Sequence, residues 1–143
     1  MKISDLIGNQ ETYAAQAHEL VHPVVQEMVV RNIGAVPVLR EGRLVGIFSE
    51  RDLMGRVVAA GRDPQTTRVE EVMTAEPLTV GPSESVENSM IVMRRYGFRH
   101  LPVCDCDRLI AIVSLRDILL HDLVEKDYEV RMMRAYIQAS PEM

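Results

Sequence analysis

Two short runs of apolar, largely β-branched residues, at positions 36–39 and 44–48, flank the dipeptide Glu41-Gly42. Such a pair around a glycine turn predicts a β-hairpin. A second pair, at 101–103 and 109–113, flanks a turn at Cys106-Asp107. Ahead of each hairpin apolar residues recur at helical spacing: Val24, Val25, Met28 and Val29 on one predicted face, then Val86, Met90 and Met93. Pro82-Ser83-Glu84-Ser85 offers hydroxyls to cap the second of these helices and a carboxylate for its positive end. A further helix is predicted after each hairpin, starting at Ser49 or Ser114, whose hydroxyl can cap it. Leu78-Thr79-Val80 predicts a strand, whereas Tyr13-Ala14-Ala15 at the matching place is a weaker one. Gly61-Arg62-Asp63-Pro64 marks a linker.

The two patterns are one pattern repeated. A shift of 65 positions (102 minus 37) aligns the hairpin blocks without a gap. Pro37, Val38, Arg43, Leu44, Ile47, Ser49, Arg51 and Asp52 recur as Pro102, Val103, Arg108, Leu109, Ile112, Ser114, Arg116 and Asp117. Upstream, Val21 recurs as Val86 and Met28 as Met93. Each unit is β-α-β-β-α, too small to bury its sheet alone, so the two are expected to pack together. The expected division is a first repeat over 1–61, a linker over 62–67, a second repeat over 68–125 and a helical tail over 126–143. Leu120, Val124, Tyr128 and Met132 form a stripe along that last helix, open to intramolecular packing or to a dimer contact.

Composition narrows the function. In 143 residues, 47% are hydrophobic and 26% charged, as in an ordinary globular protein. A formal net charge of -5 argues against nucleic acid, whose phosphates are neutralised by Lys and Arg. Cys104 and Cys106 are too few for a secreted disulfide scaffold. The N-terminus lacks the apolar core of a signal peptide, and no apolar run approaches a membrane span. A cytoplasmic protein with no membrane partner is expected.

The hairpins with the helix starts next to them, Val36-Pro37-Val38 with Gly46-Ile47-Phe48-Ser49-Glu50-Arg51-Asp52, and Leu101-Pro102-Val103 with Ala111-Ile112-Val113-Ser114-Leu115-Arg116-Asp117, resemble the cystathionine-β-synthase (CBS) domain family. The resemblance covers nearly the whole chain, with one departure: Ala111 stands where the family has glycine. It implies an α/β tandem pair of CBS repeats packed about a pseudo-twofold axis with a C-terminal helical tail, a stand-alone regulatory or energy-sensing module without catalysis. It further implies clefts for AMP, ADP, ATP, NAD(H) or S-adenosylmethionine, and no required metal.

The residues suit that chemistry. Asp52 or Asp117, at a helix start, can accept hydrogen bonds from both ribose hydroxyls. Ser49 and Ser114 add a hydroxyl beside free backbone N–H groups that favour anions. Arg51 and Arg116 can neutralise phosphate with a planar fork. Arg99, His100 and Thr79 complete the candidate set, and the first repeat has Gly34-Ala35 where the second has Arg99-His100. Without a ligand, the same aspartates would simply favour the positive helix end, and Arg94 and Arg95 the negative one before Gly97. A homodimer is expected, with a protein partner under ligand control as a further expectation. The rival is a ligand-free dimerisation and docking module.

Three features mislead. His18-Glu19-Leu20-Val21-His22 spells a zinc-hydrolase signature, which needs both imidazoles on one helix. Pro23 disfavours helix immediately before it, and the repeat aligns this segment with a helix entrance. Cys104-Asp105-Cys106, with His100 nearby, lacks the second ligand pair of a structural zinc site. Met28, Met54, Met90 and Met93 are expected as core filler rather than a binding surface.

Overall fold

The computed structural model describes residues 1–8 and 11–139. In chain order the elements are α1 (Ile3–Ile7), β1 (Ala15–Gln16), α2 (Val21–Arg31), β2 (Ala35–Arg40), β3 (Arg43–Ser49), α3 (Glu50–Asp52), α4 (Val69–Val72), β4 (Thr74–Ala75), α5 (Val86–Tyr96), β5 (His100–Asp105), β6 (Arg108–Ser114) and α6 (Leu115–Ala139). A π-helical stretch, Leu53–Val58, continues α3.

Both hairpins form, and the two repeats keep the spacing of 65 from α2 and α5 through β3 and β6. Glu41 and Gly42 turn the first hairpin with φ of 51° and 78°, left-handed values that glycine takes without steric cost. Cys106 turns the second, also left-handed at φ 56°. Even the irregularities recur: the register shifts between Val38 and Leu39, and again between Val103 and Cys104.

The opening strands reverse the sequence expectation. Ala15–Gln16 pairs in parallel with β2, with Ala15 opposite Val38. Leu78-Thr79-Val80 forms no strand, only a bridge from Val80 to Val103 held by two backbone hydrogen bonds. Pro77 and Pro82 bracket it, and proline restricts the residue before it and removes a ladder donor. The first sheet also gains β4 on its far edge, giving the order β1-β2-β3-β4, whereas among the described residues the second sheet consists of β5 and β6.

The repeats trade their leading segments. Val69 and Val72 of α4, at the start of the second repeat's stretch of sequence, are buried in the first repeat's core with Val21, Val36 and Phe48. Ile3 of α1 is buried in the second repeat's core with Val86, Leu101 and Ile118. The backbone ladders are matched as well. Ile3 N–H donates to Glu84 and Ser4 N–H to Pro82, while Val69 N–H donates to Glu19 and Glu70 N–H to Ala17. Asp5 caps the Lys2 N–H at 3.0 Å as Glu71 caps the Arg68 N–H at 2.6 Å.

Burial corrects two details. Val29 is 74% exposed and lies off the buried face of α2, which carries Val21, Val24 and Met28. Met28 and Met93 are core residues, but Met54 is 66% exposed. After the half-buried Leu115, the buried Ile118 and the half-buried His121, every described residue of α6 is exposed, so the described tail does not fold back on its own repeats. Among the described residues no helix is long and apolar enough to cross a membrane.

Ile3 lies three residues from the N-terminus, where a frayed end would tolerate any substitution. Because it is fully buried, Ile3→Ala is expected to cost about 2–5 kcal/mol of unfolding free energy in a urea titration.

Candidate functional site

Each hairpin ends in a serine that becomes a helix cap, and three residues later an aspartate closes the box. In the first repeat, the Asp52 N–H donates to Ser49 Oγ at 3.4 Å, and Asp52 Oδ2 accepts from the Ser49 N–H at 3.0 Å and its hydroxyl at 3.1 Å. In the second, the Asp117 N–H donates to Ser114 Oγ at 3.0 Å and Asp117 Oδ2 accepts from the Ser114 N–H at 3.3 Å. The backbone frame is shared. The free oxygens are not.

Asp52 is 7% exposed, and its other oxygen, Oδ1, accepts from the Thr74 hydroxyl at 3.2 Å. Arg56 stands 3.8 Å from the same oxygen and donates to the Met73 carbonyl at 2.6 Å, which holds the segment bearing Thr74 over the carboxylate. Asp117 is exposed, and among the described residues no donor reaches its Oδ1. The cause lies in the exchanged segments. With Ile3 matched to Val69 by the shared ladder, the residue corresponding to Thr74 is Gly8, which has no hydroxyl.

The other differences have similar causes. A Cβ on Gly46 would overlap the Met73 sulfur and approach the Thr74 carbonyl to 2.9 Å, so glycine is needed where β4 crosses β3. Ala111, at the equivalent place on β6, pairs with Val103 of β5 but has no described strand on its other edge, and it keeps its methyl group. At Gly34 the space for a side chain is taken by the Glu50 carboxylate, 3.2 Å from where a Cβ would stand. The second repeat places Arg99 there instead, exposed, and then the half-buried His100.

Burial holds the His100 imidazole below its ordinary value, against the pull of Asp117 and Glu50, while Arg99 lowers it further. His100 thus senses carboxylates of both repeats. Arg51 and Arg116 are exposed and make no ion pair among the described residues. Thr79 lines a groove of about 260 Å³ with Arg43, Glu76, Cys104, Cys106 and Asp107, and none of the four capping residues lines that groove. Burial raises the Cys104 thiol above its usual range, with Asp107 adding to the effect, which keeps it a thiol rather than a reactive thiolate. Ser114, Asp117 and His100 therefore come together with Arg99 and Arg116 nearby in sequence, while Thr79 faces elsewhere. The zinc-hydrolase pattern fails on its own terms, because α2 begins at Val21 and leaves His18 and Glu19 outside the helix. The role of Thr74 was missed from sequence, since it needs the match between segments 1–8 and 67–74, which runs at a spacing of 66 rather than 65.

The CBS domain model matches residues 12–59 and 69–123. A CBS-domain protein of Burkholderia ambifaria superimposes with a TM-score of 0.83 at 30% identity, covering 87% of this chain and 95% of that one. Hypoxic response protein 1 of Mycobacterium tuberculosis is 32% identical over 105 residues, 73% of each chain. A structure of Hypoxic Response Protein I with two coordinated zinc ions superimposes with a TM-score of 0.75 at 30% identity, over 85% of this chain and 98% of that one. A CBS domain protein of Pyrobaculum aerophilum complexed with AMP shares the fold, with a TM-score of 0.76 at 24% identity over 85% and 97% of the two chains.

A histidine with a folded-state pKa below its unfolded value favours the unfolded chain once protonated. Its penalty is absent above the unfolded value, about 6.5, and grows as pH falls through it. The urea midpoint is therefore expected to drop further between about pH 7.5 and about pH 5.5 in the wild type than in His100→Gln.

Proposed function

The chain belongs to the CBS domain family, and on that premise we propose that it is a regulatory module that binds an adenine nucleotide through the Ser114–Asp117 box, with no catalysis of its own. One observation carries this: of two carboxylates on the same backbone frame, Asp52 is closed off by Thr74 and Arg56, whereas Asp117 is exposed and, among the described residues, has one oxygen free of donors. Vicinal ribose hydroxyls supply the donors such a carboxylate lacks. Ser114 would hold Asp117 in place, and Arg99, His100 and Arg116 would meet the phosphates. His100, which Glu50 of the other repeat acts on electrostatically, would report occupancy across the join between repeats. A ligand shifts that join only as far as it binds one arrangement more tightly than another.

The AMP complex of the Pyrobaculum protein supports adenine as the base, and AMP, ADP, ATP, NAD(H) and S-adenosylmethionine are the ligands to compare. Two free cysteines suit a reducing cytoplasm. The exposed Met54 and Val58, matched by Leu119 and Leu123 in the second repeat, form an apolar face suited to a homodimer.

Calorimetry with each nucleotide separates this from a docking module. A hydrogen bond to a charged group contributes about 1.5–3 kcal/mol, so Asp117→Ala is expected to weaken binding roughly tenfold to a hundredfold. Asp52→Ala should leave affinity near wild type and lower the stability instead. Loss of affinity in Asp52→Ala alone would move the site to the first repeat. No binding below millimolar by any of the five would leave the docking module as the function.

A further inference from the structure

The apolar residues of α6 hold a second pattern besides the stripe through Leu120 and Tyr128. Leu119, Leu123, Lys126, Val130, Met133 and Ile137 succeed one another at spacings of four, three, four, three and four. That is the seam of a coiled coil, and all but Lys126 are apolar. The apolar five are between 45% and 69% exposed, on a helix whose described residues are all exposed after the half-buried His121. The seam is continuous with the apolar face of the paired repeats, because Leu119 and Leu123 correspond to the exposed Met54 and Val58.

We propose that this helix pairs antiparallel with α6 of a second copy of the chain, Leu119 of one lying near Ile137 of the other. Charge selects both the partner and the direction. From Asp117 to Glu129 the helix carries Asp117, Asp122, Glu125, Asp127 and Glu129, whereas from 130 to 139 its only charges are Arg131 and Arg134. Antiparallel copies lay the basic end of each over the acidic stretch of the other. Parallel copies would align the acidic stretches and set the two Lys126 side chains against each other in the seam, where like charges are costly. In the antiparallel arrangement Lys126 falls beside the second copy's Glu129. The ion pair of Lys126 with Asp122 at 3.1 Å already draws its ammonium to the edge of the seam, leaving the aliphatic stem over the apolar positions.

This pairing does not depend on the nucleotide, and its test is made without one. Sedimentation of the full chain is expected to show a dimer, and Val130→Glu with Met133→Glu should raise its dissociation constant more than tenfold. Circular dichroism and the urea midpoint of that variant show whether the repeats remain folded. A folded variant that dimerises like wild type would overturn the proposal and leave the face around Met54 as the contact. A wild type that stays monomeric at about 100 μM would overturn it too. For the direction, Gln138→Cys in a background with Cys104→Ser and Cys106→Ser carries one spin label per chain. Antiparallel helices centred near residue 128 place the two labels about 20 residues of helix apart, on the order of 30 Å at about 1.5 Å per residue. Labels side by side, at about 10–15 Å, would mean parallel helices and overturn the proposal.

Discussion

Ile3 sits in the core of the second repeat and Val69 and Val72 sit in the core of the first, and most other placements in the molecule depend on that exchange. A unit of this size buries too little surface to close alone. Here each is completed by a short helix belonging to the other's leading segment, held by matched backbone ladders. The exchange carries Thr74 and Met73 across the first repeat, where one meets Asp52 and the other lies over Gly46. It also fixes the repeats against each other closely enough for Glu50 of one to act on His100 of the other.

Duplication provided two equal frames, and a few side chains made them unequal. The Ser–Asp box is the same hydrogen-bonded object in both repeats. Thr74 against Gly8 decides whether the carboxylate is satisfied from within. Gly34-Ala35 against Arg99-His100 decides whether the strand entrance is filled by a neighbouring glutamate or offers cationic and imidazole groups. Gly46 against Ala111 reflects whether a strand crosses there. Asp52 is buried with its donors supplied, whereas Asp117 is exposed and, among the described residues, has no donor at Oδ1.

The parts legible in the sequence were those governed by local chemistry at a constant spacing. The hairpins, their turns at Glu41-Gly42 and Cys106-Asp107, the serine caps and the amphipathic helices all obey the 65-residue repeat. The exchanged helices were not legible, because α1 and α4 are five and four residues long and run at a different spacing. Strand propensity misled at Leu78-Thr79-Val80, where flanking prolines outweigh β-branched side chains, and at Ala15-Gln16, where parallel pairing with β2 outweighs weak propensity. The difference between Asp52 and Asp117 was invisible for the same reason as the exchange: its cause, Thr74, lies in a segment that sequence order assigns to the other repeat.

The exchange also dictates the order in which the chain can become a protein. Ile3 is made well before its partners Leu101 and Ile118, which lie about a hundred residues further along the chain, so the helix that carries it must wait for them. The first repeat meets a shorter delay, since Val69 and Val72 come soon after its hairpin. The first repeat can therefore close once Val69 and Val72 are made, whereas the second cannot close until the helix bearing Ile3 returns to it. Contacts of such long separation slow folding by the entropy of the loops they close.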